Sequence, residues 1–93
     1  MPGTQERRSL KYIRLAAFLA SQPAEVDQLE MKLEEIEDVV GEKLPNGARF
    51  PAWWRNDSRR MHSRAWLTAG WRVEGFNGDG IVRFERQAND GAN

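Results

Sequence analysis

The sequence predicts an α+β fold: a small winged-helix-like domain of three helices plus a short sheet ending in a β-hairpin wing. Three observations predict it. Apolar periods run in the order helix, strand, helix, turn, helix, hairpin along a single 93-residue chain. Two alternating segments, Trp71–Glu74 and Ile81–Arg86, flank the turn residues Asn77, Gly78, Asp79 and Gly80. Four tryptophans, Trp53, Trp54, Trp66 and Trp71, lie close together where so short a chain needs large side chains to fill a core.

The first helix is expected over residues 9–20. Ser9 can cap it, Leu10, Ile13, Ala17 and Ala20 repeat at three and four residues, and Leu15, Phe18 and Leu19 join them. Lys11 and Arg14 fall on the polar side, and Gln22-Pro23 ends the helix. Residues 26–41 admit two readings. Val26, Leu29, Leu33, Ile36 and Val40 fit one long helix, while Leu29, Met31 and Leu33 alternate with Glu30 and Lys32 as a half-buried strand would. Periodicity alone does not decide. The split into a strand at 28–32 and a helix at 33–40 is favoured, because that strand would complete the sheet of the terminal hairpin. Gly41 then ends the helix as a left-handed cap.

Leu44-Pro45-Asn46-Gly47 reads as a turn, and Pro51 keeps any helix near 48–55 short. Asp57 or Ser58 can cap a third helix that runs to Ala69, with Gly70 beyond its end. Met61, Ala65, Trp66 and Ala69 form its expected apolar side. Residues 1–8 and 87–93 are polar and without apolar period, so they are expected to be flexible tails around a domain at 9–86.

Composition narrows the chemistry. There is no cysteine, which removes disulfides, thiolate metal sites and cysteine nucleophiles. No apolar run approaches the roughly 20 residues of a membrane span and no signal peptide is visible, so a cytoplasmic location without membrane partners is expected. Formal net charge is zero, yet the charge is divided along the chain. Glu25 to Glu42 holds eight acids and only Lys32, whereas Arg49 to Arg72 holds six arginines and only Asp57. The field at a surface follows local charge, so a neutral total does not exclude an anionic partner.

Several residues stand out as sites. Arg59, Arg60 and Arg64 share the polar face of the third helix, with Arg55, His62 and Ser63 around them. Planar guanidinium groups suit phosphates and the guanine edge. The same arginines have a structural reading, as a solvated face or as partners for the acids of 25–42. Arg83, with Arg72 and Arg86, alternates outward on the hairpin, where wing-to-backbone contacts would arise. Trp53 and Trp54 are adjacent, so one is expected in the core and the other at the surface. Together with Asn56 they are possible aromatic or base contacts, although Asn56 equally suits a buried indole N–H. His62 is the sole histidine and has no second ligand or acid beside it in the sequence. No metal site, cofactor site or catalytic apparatus is visible.

The pattern formed by Tyr12 to Leu19, Ile36-Glu37, Leu44-Pro45 with Ala48, Trp53-Trp54 with Asn56, Ala65-Trp66 with Gly70-Trp71, and Val82-x-Phe84-x-Arg86 resembles an uncharacterised bacterial domain family. Its pattern reads LP-x-x-A, W-W-x-N, A-W-x-x-x-G-W, and the likeness covers about residues 10–86. Lys32 departs from it where Ser or Thr usually caps a helix, and Gly47 where Ser is usual. Domains of this look occur alone and beside nuclease-like domains, which implies nucleic-acid work by association and supplies no catalytic residues.

The expected function is a non-catalytic nucleic-acid-binding module, for DNA more than RNA. The alternative is a protein-interaction adaptor, or a small phage-type inhibitor or accessory protein, that docks through acidic residues 25–42. A third idea is an aromatic pocket for a modified base, built from Trp53 or Trp54 with Asn56.

Overall fold

The computed structural model describes residues 11–87. Helix α1 (Ile13–Ala20) leads to strand β1 (Gln28–Lys32), which passes without a break into α2 (Leu33–Val40). Two 3₁₀ turns follow, Asn46–Arg49 and Pro51–Trp54, then α3 (Met61–Thr68) and the hairpin strands β2 (Trp71–Phe76) and β3 (Ile81–Arg86). The expected cap Ser9, Leu10, and the segments 1–8 and 88–93 lie outside the described residues. Gln87 does not belong to a free tail: its N–H donates to the Gly70 carbonyl at 2.8 Å and its side chain to the Trp71 carbonyl at 3.0 Å.

All pairing is antiparallel, in the order β1-β3-β2. β1 pairs with the second hairpin strand, Leu29 opposite Phe84 and Met31 opposite Val82. The short sheet therefore takes its third strand from residues 28–32, as the split reading of 26–41 requires. The register of β2 against β3 breaks between Val73 and Gly75, leaving Glu74 as a bulge residue that keeps Phe76 on the core face.

The inner face of the sheet carries Met31, Trp71, Val73, Phe76, Val82 and Phe84, all buried. Opposite them lie Leu15 and Leu19 of α1, Ile36 and Val40 of α2, and Ala65 and Trp66 of α3. The outer face is polar, with Glu30 paired to Arg83 and Arg72 to Glu85 across the strands. This is an α+β domain with one layer of helices on one face of a sheet. Its element order is compatible with a winged helix.

The β1–α2 junction uses a one-sided cap. Lys32 has no acceptor in its side chain, but the Glu35 carboxylate accepts the Lys32 N–H at 2.8 Å. The Leu33 N–H bonds the Gly80 carbonyl at 2.9 Å, tying the helix start to the hairpin turn. Gly41 ends α2 at φ +94°, where a side chain is strained, and its N–H returns to the Glu37 carbonyl.

Two helices are rotated from the expected faces. In α1 the buried positions are Leu15 and Leu19, joined by Tyr12 just before the helix, while Ile13 is 53% exposed and Ala17 and Ala20 face solvent. Both stripes have helical spacing. The packing of Tyr12 on the aromatic cluster of Trp53 and His62 selects the first. In α3, Ser63 joins Ala65 and Trp66 in the interior, and Met61 is turned out. Burial of the Ser63 hydroxyl is compensated by donation to the Arg55 carbonyl at 2.6 Å.

Candidate nucleic-acid interface

The segment between the second 3₁₀ turn and α3 determines where the arginines point. Asp57 does not cap the helix; α3 starts at Met61, and Arg60 precedes it without a side-chain cap. Asp57 instead closes a turn of its own. Its Oδ1 accepts the Arg59 N–H at 3.0 Å, and its carbonyl accepts the Arg60 N–H at 2.9 Å. The Arg59 guanidinium also bonds Oδ1 at 3.0 Å, and Arg60 approaches Oδ2 at 3.7 Å. The Arg59 guanidinium bond, then the Arg59 N–H, hold the Asp57 carboxyl below its ordinary range.

One acid thus faces two guanidinium groups whose side chains stay 89% and 56% exposed. Such exposed pairs are weak. Arg49, Arg55 and Arg64 are exposed and have no ion pair among the described residues. No arginine from 49 to 64 pairs with an acid of 25–42. Arg64 stands with Met61 and Thr68 on the outer stripe of α3, beside a shallow groove of about 310 Å³ that Tyr12, Ile13 and Ala16 share.

The hairpin arginines behave differently. Arg72 bonds Glu85 at 2.6 Å and Arg83 bonds Glu30 at 3.1 Å. Arg86 lies 4.6 Å from the centre of the Trp71 ring and donates to the carbonyls of Pro23 and Val26, each at 2.8 Å. It fastens the loop after α1 to the sheet. Arg83, expected at a wing contact, is paired with Glu30 across the strands on the outer face of the sheet.

The aromatic candidates are largely spent on the fold. Trp54 is 2% exposed, donates its indole N–H to the Ala48 carbonyl at 2.7 Å and stacks on Trp66 with centroids 5.4 Å apart. It is therefore withdrawn as a base contact. Trp53 is half-buried and stacks on His62 at 3.8 Å with the rings 4° from parallel.

His62 Nε2 lies 2.8 Å from the Trp53 carbonyl, which can only accept, so Nε2 carries the hydrogen. Burial pushes the imidazole below its ordinary 6.5, opposed by that bond and assisted by the charge of Arg60. His62 and Ser63 thus leave the polar face on which the sequence placed them. Ser63 is buried, and His62 is half-buried against the Trp53 ring.

Asn56 makes three bonds. Its Oδ1 accepts the Trp66 indole N–H at 2.9 Å and the Val73 N–H at 2.8 Å, and its Nδ2 donates to the Val73 carbonyl at 2.9 Å. These bonds anchor the 55–60 segment to β2, and the one from Trp66 gives a buried indole N–H the partner that the sequence suggested Asn56 could be.

The model of a domain family of unknown function, DUF7662, matches residues 12–88 of the chain. The chain belongs to this family. No curated protein and no solved structure matches it. The matched span contains every helix and strand of the DUF7662 domain described above.

Two surface residues of the DUF7662 domain, Arg49 and Phe50, were absent from the sequence-derived candidates. Phe50 is 64% exposed between the two 3₁₀ turns, next to Arg49. The signal was an aromatic residue between Arg49 and Pro51, at a break that neither turn covers. Among the described residues, no group of three or more His, Asp or Glu is arranged to hold a metal ion. None of their helices is long and apolar enough to cross a membrane.

Proposed function

We propose that this DUF7662 domain is a non-catalytic nucleic-acid-binding module, with duplex DNA as its preferred form. Its contacts are made by the arginines of 55–64. The observation that supports this reading is their electrostatic separation: five exposed arginines from Arg49 to Arg64 face one carboxylate, Asp57, while of the acids of 25–42 only Glu30 and Asp27 are ion-paired among the described residues, with Arg83 and Arg86. A phosphate arriving at Arg55 or Arg64 displaces no internal partner. One arriving at Arg59 or Arg60 displaces only an exposed pair.

The contact expected of this surface is backbone binding more than base reading. α1 is the helix that packs against both α2 and α3, and α2 and α3 are separated by residues 41–60. They do not form a tight helix-turn-helix pair. α3 has eight residues and presents only Met61, Arg64 and Thr68 outward, which leaves one guanidinium for a groove edge.

Fluorescence anisotropy with a labelled duplex tests the proposal. The triple change Arg59→Ala, Arg60→Ala, Arg64→Ala is expected to weaken binding about tenfold or more at moderate salt. Absence of binding by the unmodified domain, or equal affinity in the triple variant, would overturn it.

A further inference from the structure

The two outer edges of the sheet are finished differently. On β2, both outward backbone groups of Val73 are taken by the Asn56 amide, and the Trp71 carbonyl is taken by the Gln87 side chain. These side chains occupy the places where another strand would pair, a usual way of blunting an edge.

β1 is not finished in this way. Arg86 N–H donates to the Asp27 carbonyl at 2.8 Å and Leu33 N–H to the Gly80 carbonyl at 2.9 Å. With Leu29 opposite Phe84 and Met31 opposite Val82, residues 27, 29, 31 and 33 direct their backbone groups toward β3. Antiparallel alternation then turns those of Gln28, Glu30 and Lys32 outward. Glu35 occupies the Lys32 N–H. The N–H and C=O of Gln28 and of Glu30 have no partner among the described residues, and both residues are exposed.

The surroundings select the kind of strand that fits. Glu25, Asp27, Glu30, Glu34 and Glu35 lie on or beside this edge against Lys32 of the same segment, with Arg83 and Arg86 reaching Glu30 and Asp27 from β3. Asp27 and Glu30 remain 81% and 63% exposed despite their arginine partners. On the core side, Val26 and Leu29 are half-buried at the margin. A second copy of the chain would bring the same acids to the seam and set like charges across it.

We propose that the β1 edge is a docking site for an extended segment of a partner protein with alternating basic and apolar residues, added as a fourth strand. Backbone bonds to Gln28 and Glu30 supply the pairing, the basic side chains meet the acids of 25–35, and the apolar ones cover Val26 and Leu29. This site is independent of the arginine surface.

The test is an NMR titration of the full ¹⁵N-labelled chain with an acetylated and amidated heptapeptide alternating lysine and valine. Shifts confined to residues about the β1 edge are expected, with slowed exchange of the Gln28 and Glu30 amides. Glu30→Pro removes one outward donor and leaves the β3 ladder intact, because that N–H does not face β3. It is expected to weaken the peptide about tenfold relative to Glu30→Ala, which keeps the donor. Circular dichroism verifies that both variants fold. No binding at millimolar peptide, shifts elsewhere, equal affinity of the two variants, or equal binding of a glutamate–valine peptide would overturn the proposal. Self-association of the chain alone that Glu30→Pro abolishes would overturn it in favour of a second copy.

Discussion

Asn56 concentrates more structural consequence than any other polar residue described. Its amide ends the β2 edge, anchors the segment that carries the arginines, and satisfies the indole N–H of buried Trp66. Asn56→Ala would strand three backbone or indole groups near the core. Because an unmade buried bond costs more than a made one contributes, a loss on the order of 3 kcal/mol is expected. Urea unfolding followed by tryptophan fluorescence measures it, and a loss under about 1 kcal/mol would be inconsistent with this role.

His62 gives stability a pH dependence. Its folded value lies below the unfolded 6.5, so between the two the unfolded chain binds more protons. Stability is therefore complete above 6.5 and falls as pH drops through that value toward the folded one. Asp57 acts in the same direction at lower pH, since its stabilisation is lost below its ordinary 3.8. Urea midpoints from pH 8 to pH 5 should decline in the unmodified chain. They should be flatter in His62→Gln. Parallel curves would contradict the burial of the imidazole.

At the scale of elements, the sequence carried the boundaries better than the faces. The stop at Gly41, the turn past Thr68 and the hairpin were legible because each rests on local signals: a left-handed glycine, a polar turn, alternation. The β1–α2 split was legible only through the sheet it completes, since the period of 26–41 fits either reading. The inward faces of α1 and α3 were not. Two stripes of α1 share the same period, and only contact with Trp53 and His62 separates them. Ser63 reads as a surface residue until the Arg55 carbonyl is found above it. The staple made by Arg86 depends on Val26 and Pro23, sixty residues or more away in sequence. Such facts belong to the assembled fold.

The rotation of α1 is directly measurable. Leu19→Ala should cost about 2–5 kcal/mol, as expected for a fully buried leucine. Ile13→Ala should cost about 0.5 kcal/mol or less, because the side chain is half in solvent already. Comparable losses at the two positions would return the helix to the face that its spacing first suggested.

At the scale of the whole molecule, a neutral total conceals two surfaces of opposite sign. The sheet consumes some of this charge: Glu30 meets Arg83 and Glu85 meets Arg72 on its outer face, while Asp27 meets Arg86, which lies over the Trp71 ring. What is left is an acidic β1–α2 side and an arginine side spanning Arg49 to Arg64. The tryptophans, conspicuous in the sequence, mainly build the core between them. Trp66 and Trp71 are at its centre, Trp54 stacks on Trp66, and Trp53 braces His62. The arginines lie outside that core, and the position of their counter-charges separates free ones from spent ones.

The distinction has a quantitative signature. Each arginine that neutralises a phosphate of duplex DNA contributes about 0.9 to the slope of log affinity against log salt. The measurement is that slope for the unmodified domain, for Arg55→Ala with Arg64→Ala, and for Arg72→Ala with Arg83→Ala. The first pair is expected to make the slope shallower by about 1.8, and the second to leave it unchanged. Equal effects of the two pairs, or affinity independent of salt, would contradict the assignment of the 55–64 arginines as the binding surface.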